Sequence, residues 1–357
     1  MNQQNGSIFY ISYPMLPVSE TSCGGAEQML WLLERRMHGR GWNTTVAACE
    51  DSRVKGELLP TGSVPAQHDM YPQREEEHCR AILRALSFRS FDVIHDKSLG
   101  FWRHASKIDG PVLVTLHLPR EFYGEEVFSH LPPNLFFNCV SESQAAWYRD
   151  IPRMLGVVRN GIALDMFPFT RQKSDYVLWL GRICPEKGTH LAIEAAERAG
   201  VRLVVAGSVY PFSSHRRYFD EEVKPRVYAS RGRLSLVESP AFAHKVELLR
   251  HARALLQPTL ATETSSLVAM EAMACGTPVI AFRRGAIPEI VVHGETGLVV
   301  RNVADMVAAI RDIDHVSPAA CRAHVEANFS AERMANDYEG LYAQVMAESV
   351  QSMRLAA

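Results

Sequence analysis

Short apolar runs rich in Val, Ile, Leu and Phe alternate along this chain with longer stretches whose apolar positions recur at the spacing of one helix face. SIFYIS (7–12) reads as a first strand, a Gly-Gly loop follows, and AEQMLWLLERRMHGRG (26–41) reads as a helix ended by glycine. TTVAAC, FDVIHD, PVLVTLH and NLFFNCV read as strands, REEEHCRAILRALSF as a helix, and SESQAAWYRDI as a helix opened by a Ser-x-x-Gln capping box. LGVVRNGI supplies a closing strand and turn, and residues 163–175, without clear periodicity, mark a linker. A second series then begins with strand YVLWL (176–180), loop GRICPEKG, helix THLAIEAAERAG and strand VRLVVAG (201–207). It continues through a charged helix over 218–228, strands RLSLVE, ALLQP, PVIAF and GLVV, helices HKVELLRHA and LVAMEAMA, a short helix IPEIVV, and helices from about 303 onward.

Strands and helices in this order specify parallel sheets covered by helices, with right-handed crossovers. The expected fold class is α/β, with two Rossmann-like parallel-sheet domains facing each other across a cleft. We expect one domain over residues 1–165, a second over 166–330, and a C-terminal helix over 331–357 packing back on the first. Ligands of such sheets bind at the carboxyl ends of the strands, so the chemistry belongs in the loops that follow them.

Composition narrows the picture. The chain has 357 residues, 47% hydrophobic and 22% charged, which suits two soluble domains. A net charge of -2 gives no global pull toward nucleic acid or anionic membrane. Cys23, Cys49, Cys79, Cys139, Cys184, Cys275 and Cys321 form no CxxC pair and no ligand-like spacing, and their odd number argues against a disulfide framework. They predict reduced thiols in a cytoplasmic protein. MNQQNGSIFYISYP lacks a basic n-region and reads as a first strand, not a signal peptide. The first helix carries Arg35, Arg36 and Arg40 near Trp31 and Trp42. Such a helix can lie on an anionic surface, but the favoured place for it is against the first sheet, with its arginines solvated.

The loops after strands hold the candidate chemistry. Gly24 and Gly25 precede a helix, where close backbone approach and free N–H groups suit a phosphate or a sugar hydroxyl. His95 and His117 each end a strand; His95 reads as structural, and His117 stands where a parallel sheet presents side chains to its cleft. Arg182 and Lys187 lie in a Gly-bounded loop, a pair able to neutralise a diphosphate. In ETSSLVAMEAMACGTPVIAF, Thr264, Ser265 and Ser266 are good helix caps beside Glu263, and Glu271 is the single polar residue of LVAMEAMA. A helix apolar all round is buried, so Glu271 needs a polar pocket or a ligand that makes one. Two cations, a helix N-terminus and two carboxylates that can accept from hydroxyls add up to a site for a nucleotide sugar.

On these residues the chain resembles the family 4 glycosyltransferases, retaining enzymes of the GT-B fold. The most specific element is E-x7-E, here Glu263 to Glu271, with LGRICPEKG and AIPEIVVHGETGLVV standing at the family's other two signature segments. The resemblance implies Arg182 and Lys187 on the donor diphosphate, Glu271 on the ribose hydroxyls and Glu263 on the transferred sugar. It places backbone amides around Ser265, Ser266 and Leu267 at phosphate or sugar, and His117 near the sugar. Gly24 and Gly25 would face donor phosphate and acceptor, with Gly285 and Glu289 shaping the pocket. It implies a UDP- or GDP-sugar donor, a sugar, lipid-linked or small-molecule acceptor, no metal and no tightly bound cofactor. No nucleic acid is expected, and peripheral membrane contact is the less favoured reading. Thr264-Ser265-Ser266 and Ala286 depart from the family pattern, in which glycines lie closer to the donor. The rival readings are a nucleotide-sugar epimerase of related fold and a non-catalytic nucleotide-sugar-binding protein.

Overall fold

The computed structural model describes residues 5–65 and 70–356, and the chain divides into two compact units, Met1–Gly161 with Ala331–Ala357, and Ile162–Ser330. Each unit has its own sheet and its own core.

The first unit carries β1 (Ser7–Ile11), β2 (Asn43–Ala48), β3 (Glu57–Pro60), β4 (Val93–Asp96), β5 (Val112–Thr115), β6 (Leu135–Cys139) and β7 (Met154–Val157). They form one parallel sheet in the order β3-β2-β1-β4-β5-β6-β7. The order reverses at β1, between β2 and β4, as in doubly wound folds. Its helices are α1 (Gly25–Gly39), α2 (Tyr71–Leu86), the single turn α3 (Glu142–Ala145) and, from the end of the chain, α12 (Ala331–Ala356).

The second unit has β8 (Tyr176–Arg182), β9 (Arg202–Ser208), β10 (Leu234–Glu238), β11 (Ala254–Gln257), β12 (Val279–Phe282) and β13 (Gly297–Val300). Their order, β10-β9-β8-β11-β12-β13, is again parallel throughout. Its helices are α4 (Thr189–Ala199), α5 (Ser213–Tyr218), α6 (Lys224–Ala229), α7 (Phe242–His251), α8 (Leu267–Ala274), α9 (Ile287–Ile290), α10 (Val303–Asp312) and α11 (Pro318–Asn328). α8 is apolar all round and is buried from Ala269 to Ala274, as its pattern requires.

The alternation along the chain does not announce β3, a four-residue edge strand ending in Pro60 with only partial burial and too short to carry a period. Two local expectations are corrected. The helix expected from Ser141 is only four residues long. Ser141 Oγ does accept from Gln144 N, but the Gln144 side chain accepts from Val140 N and donates to the carbonyls of Leu116 and Leu118, so the box is not reciprocal. The arginines of α1 and of its C-cap are not all solvated. Arg36 and Arg40 pair with Glu332, and Arg40 also with Glu339, while Trp42 Nε1 donates to Glu339.

α12 is held on the first sheet by a directional chain of buried hydrogen bonds. Thr115 Oγ1 donates to Asn138 Oδ1 at 2.7 Å, so it must accept from His95 Nε2 at 2.7 Å. His95 Nδ1 then accepts from Tyr342 at 2.7 Å, and Tyr342 accepts from Tyr10 at 3.2 Å. Tyr338 donates to Thr115 at 3.1 Å and accepts from Lys97 at 3.3 Å. Burial, with Lys97 and His117 next, depresses the His95 imidazole well below its ordinary range, which agrees with the neutral Nε2–H tautomer that the chain demands. His95 is thus a structural residue. Tyr342→Phe strands the His95 acceptor, and chemical denaturation should show a loss of about 1–3 kcal/mol.

Candidate functional site

In the second unit the loops at the carboxyl ends of β8, β11 and β12 are locked to one another through backbone. Gly188, at φ 67°, ends the 183–188 loop, and a Cβ there would lie 2.1 Å from the carbonyl of Pro258. The Glu186 carbonyl accepts from Leu260 N at 2.8 Å, with Ala261 N and Thr259 Oγ1 also within reach. On the other side Gly285, at φ 51°, presses on the Glu263 backbone, and Ala286 N donates to the Glu263 carbonyl at 2.8 Å. A side chain at either glycine would both strain the backbone and collide with a carbonyl. The departure at Ala286 falls on the residue whose amide makes this bond, and its methyl is buried.

This frame brings several of the expected residues together. Lys187 Nζ lies 2.6 Å from Glu263 Oε1, and the lysine carbonyl accepts from Trp179 Nε1, which fixes the turn that carries it. Glu263 is 8% exposed while Lys187 keeps access to water, so only the carboxylate side of the ion pair is largely desolvated. Arg182 is the last residue of β8 rather than a loop residue, and its guanidinium stacks over the Tyr210 ring at 5.2 Å. Ser266 is the helix cap of α8: its Oγ accepts from Ala269 N and exchanges hydrogen bonds with the Gln257 carboxamide. Leu267 opens the helix. Ser265 Oγ is buried with no hydrogen-bond partner, an unmet polar group of the kind a ligand oxygen satisfies. Glu289 lies in α9, whose first turn follows Gly285 and Ala286.

The partner demanded by Glu271 is Lys245 of α7, with Nζ 2.7 Å from Oε1 and the acid only 4% exposed. The sequence does not single out Lys245. A buried acid in an apolar helix signals that a cation exists, but nothing in HKVELLRHA distinguishes the one that comes in contact. The rings of Phe167 and Phe242 flank the Lys245 ammonium at 5.8 and 5.6 Å.

In the first unit, His117 follows β5, and its backbone N–H donates to the Tyr123 hydroxyl at 3.0 Å. Burial, then the Lys97 charge, holds the His117 imidazole well below its usual range, so it is neutral at pH 7. Gly24 is the N-cap of α1 and Gly25 its first residue. The Glu27 side chain folds back over this end: a Cβ on Gly24 would lie 2.0 Å from Glu27 Oε2. Burial raises the Glu27 carboxyl to about 7, opposed by a hydrogen bond from its own amide.

Residues 174–314, within the second unit, match the family model Glycosyl transferases group 1. The glycogen synthase of Mycobacterium tuberculosis is 32% identical over 215 residues, 56% of this chain and 48% of that protein. The D-inositol 3-phosphate glycosyltransferase of Mycolicibacterium paratuberculosis is 31% identical over 179 residues, 46% of this chain and 38% of that one. The chain thus spans about half the length, or less, of these curated relatives. Among solved structures, sucrose-phosphate synthase from Thermosynechococcus elongatus aligns with a TM-score of 0.77 at 20% identity, over 96% of this chain and 99% of that one. Anabaena HepE in complex with UDP-glucose aligns at 0.72 and 17% identity, over 97% and 100%. The chain is thus similar to the group 1 glycosyltransferases over residues 174–314, and its fold is GT-B.

Two outcomes test the electrostatics. Lys245→Met leaves Glu271 buried without its cation and should cost about 3–5 kcal/mol in urea unfolding. Lys187→Ala should cost less, since Lys187 is 30% exposed and its site is open to water. For Glu27, whose ordinary value is 4.5, the raised folded value means stability is full below pH 4.5 and is lost as pH rises to about 7. Glu27→Gln, a neutral isostere, should therefore gain roughly 3 kcal/mol over the wild type at pH 8 and almost nothing at pH 4.

Proposed function

We propose that the chain transfers a sugar from a UDP- or GDP-sugar to an acceptor hydroxyl with retention at the anomeric carbon. The observation that carries this reading is the Lys187–Glu263 ion pair beside the Ser266-capped start of α8, inside the segment that matches the family. Lys187 and Arg182 take the donor diphosphate. Glu263 takes hydroxyls of the transferred sugar, and Glu271 those of the ribose. The amides around Ser265, Ser266 and Leu267 meet phosphate or sugar oxygens, and Gly285 and Glu289 shape the wall behind Glu263. In the first unit, His117 and the Gly24–Gly25 turn lie after strand ends, and we assign them to ligand contact by that unit.

In the chemical step the bond from the anomeric carbon to the phosphate oxygen breaks, and one to the acceptor oxygen forms on the same face. The acceptor proton passes to the departing phosphate. Arg182 and Lys187 stabilise charge growing on that leaving group, so the step calls on no metal ion. Same-face attack is favoured over double displacement, because among the described residues no carboxylate is evident as a nucleophile. A neighbour of the same fold holds UDP-glucose, which makes uridine donors the first to try. Seven free cysteines support a reducing, cytoplasmic setting. The engagement of Arg36 and Arg40 by α12 supports a reading without membrane docking, and among the described residues no helix is long and apolar enough to cross a membrane.

A thermal-shift panel of nucleoside diphosphates and their sugars should single out one nucleotide that raises Tm, since a ligand of the native state stabilises it. With that donor and a panel of sugar, lipid-linked and small-molecule acceptors, NMR of the product should show the donor's anomeric configuration. Lys187→Ala should lower turnover by at least about two orders of magnitude. Wild-type rates in that variant would remove the phosphate role, and epimerised donor formed without acceptor would overturn transfer.

A further inference from the structure

Among the described residues, one group outside the donor residues joins three potential metal ligands: Cys184 Sγ, a Glu186 carboxylate oxygen and a ring nitrogen of His215, all within 4.8 Å of one another. Cys184 and Glu186 belong to the 183–188 loop and His215 to α5, which follows β9. β8 and β9 run in register there, with Arg182 opposite Ser208 and Ile183 N donating to Ser208 O at 2.9 Å. Pairing of the two strands therefore delivers the two halves of the group to one place. The spacing in sequence, with 28 positions between Glu186 and His215, gives no such signal.

Three features favour a ligand here over a chance cluster. His215 is 8% exposed, and its Nδ1 is buried without a hydrogen-bond partner. Cys184 is fully buried; its thiol makes a long contact to the Arg182 carbonyl at 3.5 Å and hydrogen-bonds the Glu186 side chain, so two of the three groups already meet. Glu186 is exposed at its side chain but fixed at its backbone, where its carbonyl accepts from Leu260 N, and its carboxylate already reaches the Cys184 thiol. A tetrahedral zinc site needs N, O and S ligands about 3.3–3.6 Å apart, a contraction that the Glu186 side chain can supply by rotation.

We propose that Cys184, Glu186 and His215 bind one borderline transition-metal cation of the Zn²⁺ class, with water in the fourth position. A thiolate and an imidazole select against Mg²⁺ and Ca²⁺, which take oxygen ligands. Binding breaks the Cys184 S–H bond, forms the metal–sulfur bond and releases the proton to solvent. The ion plays no part in sugar transfer; it ties α5 to the loop that ends in Lys187. The inference stands apart from the proposed reaction, since its readouts need neither donor nor acceptor.

The test titrates the full chain, freed of metal, with Co²⁺ and Zn²⁺. Expected are one equivalent bound, thiolate-to-cobalt absorption in the near ultraviolet, a Tm rise with Zn²⁺ and none with Mg²⁺. Cys184→Ser should abolish the absorption, whereas Cys23→Ser, at an exposed thiol, should keep it. Glu186→Gln, at an exposed side chain that leaves folding intact, and His215→Ala should each weaken Zn²⁺ by more than about tenfold in competition with a chromogenic chelator. Absence of the cobalt band in the wild type, its survival in Cys184→Ser, or wild-type affinity in both Glu186→Gln and His215→Ala would overturn the site.

Discussion

An ionised carboxylate that leaves water needs a cation or hydrogen-bond donors beside it, and the strand ends of the second unit are arranged around two acids that have found a cation. Glu271 meets Lys245 and Glu263 meets Lys187, each within hydrogen-bonding distance. The first pair lets an otherwise apolar helix lie in the core. The second is more open, so Lys187 and Glu263 can trade their mutual contact for ligand oxygens. Folding has already taken the Glu263 carboxylate largely out of water, so that charge does not have to be stripped again at the moment of binding. Backbone contacts at Gly188 and Gly285 hold the loops that carry these groups, so the spacing of the charges is set by main chain and not by flexible side chains.

The first unit solves a related problem without charge pairing. Its buried polar groups run from Tyr10 through Tyr342, His95 and Thr115 to Asn138, each donating to the next. Such a chain tolerates burial only while every member keeps its partner. A protonated His95 would present a second donor to a hydroxyl already committed to donate, which is why the imidazole stays neutral.

Much of the fold was legible because its elements are local. Strands such as Val112–Thr115 and helices such as Thr189–Ala199 announce themselves by composition and period, and their alternation specifies the parallel sheets. Lys187 and Glu263 could be expected together, since both follow strands in one sheet. What escaped depends on contacts distant in sequence. Lys245 is one of several cations on its helix, and only packing of α7 on α8 selects it. The short α3 ends because Gln144 finds carbonyls 26 and 28 residues away. The fold-back of Glu27 over Gly24 is local, yet it needs a side-chain conformation that composition does not specify.

The placement of α12 bears on how the polypeptide acquires this structure. The hydroxyls of Tyr10 and Tyr342 meet across 332 positions of sequence, whereas the second unit is one continuous stretch, Ile162–Ser330. During synthesis that stretch is complete before the residues that finish the first unit have emerged. The first unit must therefore wait, with the sheet face that α12 covers still open, until its final helix arrives. A long loop adds little to the equilibrium cost of closure, because that cost grows only with the logarithm of length. The delay instead makes the opened first unit the vulnerable intermediate for aggregation and proteolysis.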